Sequence, residues 1–568
     1  MKSSTSPAQQ LRLRENQLFL LLTILIGIIA GLAAVLFTVA IDYVNHRLFG
    51  LAPSQLRLFV IPPLVSIATG VLLAKVFPEV RGSGVPQTEA AYHLSNGIIP
   101  ARVPLGKFLT GVLCIGSGHS MGREGPSVQI GAGLASLAGR WLGLSPRRVR
   151  DLIPVGAAGA LAAAFNTPVS AVVFALEEII GDTNAPLIGS TVIASVAAVI
   201  VERSILGNEP LFHVPTYRLV HPAELLAYAV LGISGGAVSL LFCRGLLGLR
   251  AAFQRLPPGT RSLQPAIGGL IIGAALLYTP AIMGVGYEYV DQALNGGLLL
   301  KTMIILCFLK LAATIVSYAS GNAGGIFAPS LYIGAMAGGI IGMLVHRVAP
   351  FQTGDPGAYA LVGMGTLFAG IIRAPMTSVF MIFEITQDYQ ILVPLMVANL
   401  LSFVVSRHFQ PVPVYHALLH QDDIHLPVSS GPLAKSARTA RHVMHTDVVY
   451  LPADLSVTTA LDWTAEHPAP IYLVGTPDDF LGTITREQLQ DAHDSGPTNK
   501  AVSAVARRST VHAHADHSID VVLDRLVDGG GVLPIVSRSD ARHVEGIVTR
   551  DSLLPGGRHS DRQASPTQ

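Results

Sequence analysis

GREGPSVQIGA at residues 122–132 and GIFAPSLYIGA at residues 325–335 are two copies of one pattern. Each begins with Gly, reaches Pro four residues later and continues Pro-Ser-x-x-Ile-Gly-Ala. Both copies lie inside long apolar stretches, yet the first carries a charged pair, Arg123-Glu124, where hydrocarbon side chains would be expected. In a chain that crosses a membrane, such a repeat predicts two structural halves that meet at an ion site.

The composition is that of a membrane protein. Of 568 residues, 50% are hydrophobic and 13% are charged, and the mean hydropathy is +0.51. Because soluble domains carry about 25% charged residues, much of the surface is expected to face lipid. The net charge of +2 gives no electrostatic reason to expect nucleic acid as a partner. The three cysteines are far apart in apolar segments, which predicts buried structural thiols.

The first residues predict a membrane-spanning helix rather than a cleavable export signal. Residues 1–17 are polar and include basic side chains, and an apolar stretch follows at residues 18–40. This stretch exceeds the ~20 residues that a spanning helix needs and is too long for the core of a signal peptide. Because basic residues flank spans mainly on the cytoplasmic side, residues 1–17 are expected to be a cytoplasmic segment.

A membrane domain is expected at residues 18–420, because apolar segments follow one another there with short breaks. Several segments contain Gly or Pro, or are too short to cross ~30 Å of hydrocarbon at about 1.5 Å per residue. Broken helices are tolerated at this depth only where their backbone is buried in protein or lines a cavity. The sequence therefore predicts a polar pathway inside the membrane. The segments lie at about 58–77, 104–120, 127–144, 152–181, 185–206, 222–248, 264–283, 298–319, 325–349, 357–386 and 390–407.

The repeat extends beyond its opening pattern. Pro168 ends an Asn-Thr-Pro sequence and is followed nine residues later by Glu177, and Pro375 ends an Arg-Ala-Pro sequence and is followed nine residues later by Glu384. The residues leave open whether the two halves are parallel or inverted, although inversion is the commoner arrangement in transporters. The halves are expected at about residues 20–205 and 222–407.

After Pro411 the chain becomes polar and carries a second repeat. GTITREQL at residues 482–489 and GIVTRDSL at residues 546–553 are offset by 64 (546 − 482), and each copy follows a short apolar run. The order strand, turn, strand and helix predicts a small α/β unit that is present twice. Residues 557–568 are expected to be a disordered polar tail.

Three glycine-rich breaks predict helix starts at membrane depth. The first four backbone N–H groups of a helix lack intrahelical partners, and the helix dipole adds about half a positive charge at this end. A helix that starts inside the membrane can therefore hold an anion without a buried lysine, because Gly permits close approach and Pro fits the first turn. The breaks are Gly82–Pro86, Gly122–Pro126 and Gly325–Pro329.

One motif favours a different class of protein. Gly118-His-Ser-Met-Gly122 matches the G-x-S-x-G nucleophile elbow of hydrolases, in which Ser120 would be the nucleophile. The elbow requires a preceding strand and a soluble α/β sheet, whereas this copy lies in an apolar segment. A membrane serine hydrolase therefore stays a remote alternative. No metal site is predicted.

Four motifs together resemble one family. GSGVP at 82–86, GREGP at 122–126, GGIFAP at 324–329 and a late Tyr415 are similar to the motifs of the CLC chloride channels and chloride/proton antiporters. The resemblance covers about residues 20–420. It implies an all-α polytopic membrane fold of two inverted halves with broken and tilted helices, and a homodimer with one pore in each subunit. It also implies a bacterial protein of the inner cell membrane.

The C-terminal repeat resembles a tandem pair of CBS domains, a frequent cytoplasmic appendage of this family, over residues 438–495 and 500–556. The resemblance implies an α/β module on the cytoplasmic side. CBS pairs often bind adenine nucleotides, and Asp551 fits the acidic position that holds ribose. An adenine nucleotide is therefore a candidate ligand of the pair, whereas transport itself is expected to require no cofactor.

The resemblance also assigns ligands to a central chloride. Ser83 would donate its hydroxyl and Tyr415 its phenol, and the backbone N–H groups of Ile326 and Phe327 would complete the site. Neutral donors suit an ion that must leave as well as bind. Taken alone, Ser83 also fits a helix N-cap and Tyr415 an interfacial aromatic. The supporting residues are Gly82, Gly84, Pro86, Gly122, Arg123, Gly125, Pro126, Gly325 and Pro329.

Two glutamates are implied in proton transfer. By resemblance, Glu124 is the gate that competes with chloride and carries protons on the outer side, and a carboxylate beside a helix start does mimic an anion. Glu178 is the implied inner proton donor. It lacks a counterpart in the second half, whereas Glu177 has one in Glu384, and a charge pair at a helix end is the alternative. Lys107 is expected either to contribute to the anion pathway or to snorkel to the interface.

The expected function is chloride/proton antiport through a glutamate gate, with chloride and protons as the species transported across a lipid bilayer. A passive, voltage-gated chloride channel on the same fold is the alternative. A cation carrier would require acidic ligands in both halves, and the second half offers mainly Glu384. No enzymatic activity is expected.

Overall fold

The chain divides into two units, Met1–Pro427 and Val428–Gln568. The structure is a computed structural model. It describes residues 7–182, 187–208, 211–212, 214, 220–350, 352–426, 439–446, 448–469, 471–495, 500–506, 511–517, 519–528, 532–538, 540, 542–549 and 552.

Among the described residues of the first unit, the regular elements are helices, and seven helical stretches are long and apolar enough to cross a membrane. Shorter helices lie between them, because Gly and Pro interrupt the apolar runs. The helices are α1 (Pro7–Phe49), α2 (Gln55–Lys75), α3 (Val85–Leu94), α4 (Arg102–Gly116), α5 (Glu124–Trp141), α6 (Pro146–Phe165), α7 (Pro168–Phe174), α8 (Ile188–Leu206), α9 (Glu224–Gln254), α10 (Gln264–Tyr278), α11 (Tyr287–Leu294), α12 (Leu300–Ala319), α13 (Phe327–Val348), α14 (Pro356–Ile371), α15 (Pro375–Thr386), α16 (Leu392–Phe409) and α17 (Val414–Gln421).

Two apolar stretches that look continuous in the sequence are each two helices. The stretch at 152–181 divides into α6 and α7 at Asn166, and the stretch at 357–386 divides into α14 and α15 at Arg373. Both residues have a left-handed backbone, with φ of 58° and 71°. In each half a Pro then begins the next helix. Hydrophobicity continues through both breaks, so it does not reveal them.

The two halves cap each other's broken helices. Glu384, in α15, accepts hydrogen bonds from two backbone N–H groups in the first turn of α7, at 2.8 and 2.7 Å. Glu177 accepts hydrogen bonds from two backbone N–H groups in the first turn of α15, at 3.2 and 2.8 Å. A carboxylate satisfies these otherwise unpaired donors and complements the positive end of the helix dipole. Glu177 therefore has a structural position that its counterpart in the repeat shares.

Close helix contacts at glycine also repeat between the halves. A Cβ atom at Gly131 in α5 would lie 2.3 Å from the carbonyl oxygen of Gly156 in α6. A Cβ atom at Gly334 in α13 would lie 2.3 Å from the carbonyl oxygen of Gly363 in α14. Small residues allow helix backbones to approach this closely inside a membrane, where packing drives association. The equivalent contacts show that α5–α6 and α13–α14 are corresponding pairs.

The second unit contains two antiparallel strand pairs, one in each copy of its sequence repeat. Strands β1 (Tyr450–Leu451), β2 (Tyr472–Thr476) and β3 (Asp479–Ile484) form one sheet, in which β2 and β3 are antiparallel. Strands β4 (Val532–Val536) and β5 (Val544–Thr549) form the other pair. Both pairs carry one register shift. The described helices of this unit are α18 (Val457–Glu466), α19 (Arg486–Ser495), α20 (Val502–Val505) and α21 (Ile519–Asp528).

Helix α19 begins at the Thr-Arg-acidic sequence of the first copy. The backbone N–H of Thr485 donates to Oε1 of Gln488 at 3.0 Å, and the backbone N–H of Gln488 donates to Oγ1 of Thr485 at 3.2 Å. This reciprocal pair is a capping box. The acidic residue of the second copy, Asp551, lies outside the described residues, as do residues 557–568.

Replacement of Glu384 by Gln should lower the thermal stability of the protein, because a neutral amide is a weaker acceptor for N–H groups at a positive helix end. Loss of a cap costs about 0.5–2 kcal/mol, so the thermal midpoint in detergent should fall by a few degrees. The matched control is Asp423→Asn, at an exposed position of the same unit. Equal midpoints for the two variants would contradict the capping role.

Candidate functional site

The three glycine-rich breaks meet in the interior of the first unit. Gly122 and Gly325 form a reciprocal pair, in which each N–H donates to the other residue's carbonyl at 2.8 Å. Gly82 joins them by donating to the carbonyl of Asn322 and accepting from the N–H of Gly324, both at 3.1 Å. Because Gly122 and Gly325 are equivalent residues of the repeat, their antiparallel pairing relates the halves by a local two-fold axis. The starts of α3, α5 and α13 consequently converge.

Two buried hydroxyl groups at this point lack hydrogen-bond partners. Ser83 and Tyr415 are both 0% exposed, and no described group has hydrogen-bond geometry with Ser83 Oγ or Tyr415 Oη. The two oxygens nevertheless lie close enough to interact with each other. Unsatisfied buried polar atoms are rare in folded proteins. Two of them side by side indicate a place for a ligand that accepts hydrogen bonds.

The hydroxyl of Ser83 is not used to cap α3. The N-cap residue is Gly84, whose N–H donates to Oε1 of Gln87 at 3.0 Å. Gln87 also donates to the carbonyl of Arg81 at 3.1 Å, and the backbone N–H of Ser83 donates to the hydroxyl of Tyr318 at 3.3 Å. The capping interpretation of Ser83 is therefore wrong. Gln87 caps the start of α3 instead, and the serine hydroxyl is available to a ligand.

Space beside Ser83 depends on Gly125, in the first turn of α5. A Cβ atom at Gly125 would lie 2.4 Å from Ser83 Oγ and 3.3 Å from the Cα of Gly325. Any side chain there would fill the space next to the hydroxyl or separate the loops. Helix α13 begins close by, and the N–H groups of Ile326 and Phe327 at its start have no intrahelical acceptor. The local chemistry is therefore that of an anion site built from neutral donors.

The carboxylate of Glu124 is buried between the two halves. Its Oε1 accepts a hydrogen bond from the hydroxyl of Tyr287 at 2.6 Å. Its Oε2 has no partner with hydrogen-bond geometry, although the backbone N–H of Ala328, in the first turn of α13, faces it. The guanidinium of Arg123 lies over the ring of Tyr287, 5.7 Å from the centroid. Glu124 therefore lies at the positive end of a helix of the other half, where an anion would bind.

Two buried lysines fix equivalent loops of the two halves. Lys107, which is 0% exposed, donates to two carbonyls in the loop before α3, at 2.9 and 2.6 Å. Lys310, also 0% exposed, donates to two carbonyls in the loop before α11, at 3.1 and 2.6 Å. Snorkelling of Lys107 is therefore excluded. Both amino groups hold a loop at the candidate site.

The loop before α11 is a fourth glycine-rich helix start, which sequence reasoning missed. Residues 284–287 (GVGY) correspond to residues 82–85 (GSGV), and the glycines of both loops have positive φ, between 52° and 102°. In this correspondence Tyr287 takes the position of a valine. A search for Gly-x-x-x-Pro does not find the loop, because residue 288 is Glu. The repeat offset of 203 (325 − 122) would have located it within one residue.

Glu178 lies in a π-helical segment, Ala175–Ile180, that continues α7. Helical turns of this type are rare and are frequent at functional sites. The two adjacent acids of this segment have different partners. Glu177 caps α15, whereas Glu178 interacts with Tyr415 and Glu89. The phenol of Tyr415 also interacts with Glu124. Tyr415 thus connects the two glutamates that the sequence singles out.

A cavity of about 520 Å³ extends from the loop of Gly82 between α3, α9 and α17. Its lining has more basic than acidic side chains, and a surplus of one sign of charge in a cleft raises the local concentration of counter-ions. One of the basic side chains, Arg250, is paired with Asp422 at 2.7 Å. The charged lining residues are Arg81, Arg250, Arg261, Glu79 and Asp422.

The geometry around Ser120 excludes a nucleophile elbow. Ser120 follows helix α4 through a turn, not a strand. It is fully buried, and its Oγ shares a hydrogen bond with Oγ1 of Thr314 at 3.0 Å. The neighbouring His119 is hydrogen-bonded to Ser66 at 2.6 Å rather than to Ser120. Because the elbow needs a strand-to-helix turn that exposes its serine, the hydrolase alternative is wrong.

Comparisons with known proteins agree on one family. Residues 64–407 match the family model described as voltage gated chloride channel. The protein named H(+)/Cl(-) exchange transporter ClcA of Vibrio cholerae serotype O1 (strain M66-2) is 31% identical over 420 residues, which are 71% of this chain and 89% of ClcA.

Solved structures give the same result. A slow cyanobacterial Cl⁻/H⁺ antiporter is 29% identical, with a TM-score of 0.66 over 71% of this chain and 97% of its own. A eukaryotic CLC transporter, 22% identical, has a TM-score of 0.61 over 94% of this chain and 97% of its own, which shows a shared fold. Since the family match spans residues 64–407 and a full-length relative exceeds 30% identity, the chain belongs to the CLC family of voltage-gated chloride channels and transporters.

Proposed function

We propose that this chain exchanges chloride for protons across a membrane. The observation that carries the proposal is the buried carboxylate of Glu124, which lies at an anion-binding helix end and is connected through Tyr415 to a second acid, Glu178. The names of the ClcA relative and of the cyanobacterial antiporter support it. A passive channel would have no use for the second acid, so the geometry favours exchange over that alternative.

Chloride binds where the hydroxyls of Ser83 and Tyr415 meet the start of α13. The two hydroxyls have no other partner, and the N–H groups of Ile326 and Phe327 supply further donors. None of these groups is charged, so the ion is held by hydrogen bonds and dipoles that release it readily. The surplus of arginine in the neighbouring cavity concentrates chloride near this site.

Glu124 is the gate because its carboxylate occupies the place of an anion. Ionised Glu124 and a bound chloride repel each other, and both are attracted to the same helix ends. Protonation removes the charge of the carboxylate, so the helix start no longer holds it against an incoming chloride. Each proton that Glu124 takes up therefore admits an anion. Each proton that it releases returns the ionised carboxylate to the helix end.

Glu178 supplies protons from the other side of Tyr415. The charges of both carboxylates act on the same phenol, so a chloride bound at Ser83 and Tyr415 interacts electrostatically with both acids. A chloride there favours the protonated form of each, because neutralisation removes a repulsion. Chloride binding and proton transfer are therefore coupled electrostatically through one short segment of the protein.

Reconstitution in liposomes tests the function directly. With an outward chloride gradient, chloride efflux should drive proton uptake against a proton gradient, measured with chloride and pH electrodes in the same sample. Substitution of Glu178 by Gln or Ala should reduce proton movement at least tenfold while chloride still passes, because the inner donor is lost.

The matched control for Glu178 is Glu384→Gln, which weakens a helix cap and should leave the ratio of protons to chloride unchanged. Chloride flux without proton movement in the wild type would establish a passive channel instead. Unchanged coupling in both Glu178 variants would refute the role of Glu178 alone.

Replacement of Tyr287 by Phe should strengthen chloride binding. The phenol donates one hydrogen bond to a charged acceptor, Glu124, and such a bond contributes about 1.5–3 kcal/mol. Its loss frees the carboxylate from the helix end, so chloride should bind about tenfold more tightly, as measured by isothermal titration in detergent. Tyr289→Phe, two residues further along α11, is the control. Equal affinities in both variants would show that Tyr287 does not hold the gate.

We further propose that the second unit is a tandem CBS pair that binds an adenine nucleotide. We also propose that the chain forms a homodimer and that both termini are cytoplasmic in an inner membrane. The two antiparallel strand pairs, one in each copy of the repeat, support the CBS pair. Titration of the full-length protein with ATP should give a measurable heat. No heat with ATP, ADP or AMP would contradict a nucleotide site.

A further inference from the structure

A second group of ionisable side chains lies beside Glu178. Glu89, on α3, is 4% exposed, and its Oε1 is hydrogen-bonded to Nε2 of His416, on α17, at 2.7 Å. The other oxygen, Oε2, has no hydrogen-bond partner. The side chain of His416 is 34% exposed. A buried carboxylate with one unused oxygen is therefore connected to water by an imidazole.

Glu89 and Glu178 lie close enough for their charges to interact. The other acid of the π-helical segment, Glu177, is committed to the first turn of α15 by hydrogen bonds of 2.8 Å from a backbone N–H and a hydroxyl. The titratable groups that interact with the pair or with Glu178 are Glu177 and Glu178 from the π-helical segment, His93 from α3 and Tyr415 from α17.

A purely structural role does not account for this arrangement. Burying a carboxylate–imidazole pair costs desolvation free energy that a well-packed apolar pair avoids, and an unpaired buried oxygen adds to that cost. Helices α3 and α17 already bury apolar side chains, including Val85, Leu418 and Leu419. A buried carboxylate that keeps one oxygen without a hydrogen bond and interacts with Glu178 is what a path for protons requires.

We propose that Glu89 and His416 form the inner station of the proton path and carry protons between water and Glu178. The proposal rests on the proposed exchange of chloride for protons. It adds two residues to that reaction. It also identifies the imidazole of His416 as the point where protons enter, on the side of the membrane where the first unit ends.

The transfer balances as a sequence of proton movements without any co-reactant. A proton from water binds Nδ1 of His416, the nitrogen that is not bonded to Glu89, and the ring becomes an imidazolium. Its Nε2–H proton passes along the 2.7 Å hydrogen bond to Oε1 of Glu89, which leaves a neutral ring and a neutral acid. Glu89 then gives a proton to the ionised Glu178, and His416 exchanges tautomers with water before the next cycle. A histidine suits this task because it gains and loses protons near neutral pH.

Isosteric variants test the station in the full-length protein in liposomes. His416→Gln keeps a hydrogen-bond donor for Glu89 but does not titrate, and Glu89→Gln removes the buried acid. In each variant the proton flux driven by a chloride gradient should fall at least fivefold and lose its dependence on pH between about 5 and 7.5 on that side. His420→Gln, one turn further along α17 at an exposed position, should leave both quantities unchanged.

Chemical rescue separates a relay from a merely structural contact. In His416→Ala, imidazole added on the exposed side should restore at least half of the lost proton flux, because a diffusible base replaces the missing ring. Absence of rescue overturns the proposal, as does a wild-type pH profile in His416→Gln. A wild-type protein that moves chloride without protons overturns the exchange reaction and the relay together. If the wild type exchanges chloride for protons and both isosteric variants do so at the same rate, the relay alone is overturned.

Discussion

The reciprocal hydrogen bonds between Gly122 and Gly325 are the constraint on which the rest of the site depends. They fix the starts of α5 and α13 at one point, so two positive helix ends face the same small volume in a medium of low dielectric constant. Such an arrangement favours negative charge at that point. The protein supplies its own in Glu124, and the unpartnered hydroxyls of Ser83 and Tyr415 show where a mobile anion can do the same.

The repeat separates scaffold from chemistry. Positions that are equivalent in both halves hold the structure, as Lys107 and Lys310 hold loops and Glu177 and Glu384 cap helices. Positions that differ carry the reaction. Tyr287 stands where the first half has a valine, and it provides the hydrogen bond to the gate. A symmetric ancestor of the fold would bind an anion between its halves, and the asymmetric residues add titration to that site.

Local sequence predicted the helix starts and the repeat because glycine, proline and hydrophobicity act over a few residues. It did not predict Tyr287, whose partner Glu124 is 163 residues away, or His416, whose partner Glu89 is 327 residues away. Such contacts depend on how the halves fold onto each other. Local sequence also left a cap of α3 open as an alternative for Ser83, because Ser commonly caps helix starts, whereas in the structure Gln87 accepts the hydrogen bond from the N–H of Gly84.

Chloride and proton coupling follows from the placement of charge and needs no large movement. The chloride site that we propose at Ser83 and Tyr415 is within the electrostatic influence of two acids, because the charges of Glu124 and Glu178 both act on the phenol of Tyr415. An anion there favours protonation of both acids, and by linkage protonation favours the anion by the same factor. A channel with the same donors but neutral residues at the two glutamates would bind chloride equally well and would lack this reciprocity. In the mechanism that we propose, the two carboxylates, not the chloride ligands, therefore decide whether the fold conducts or exchanges.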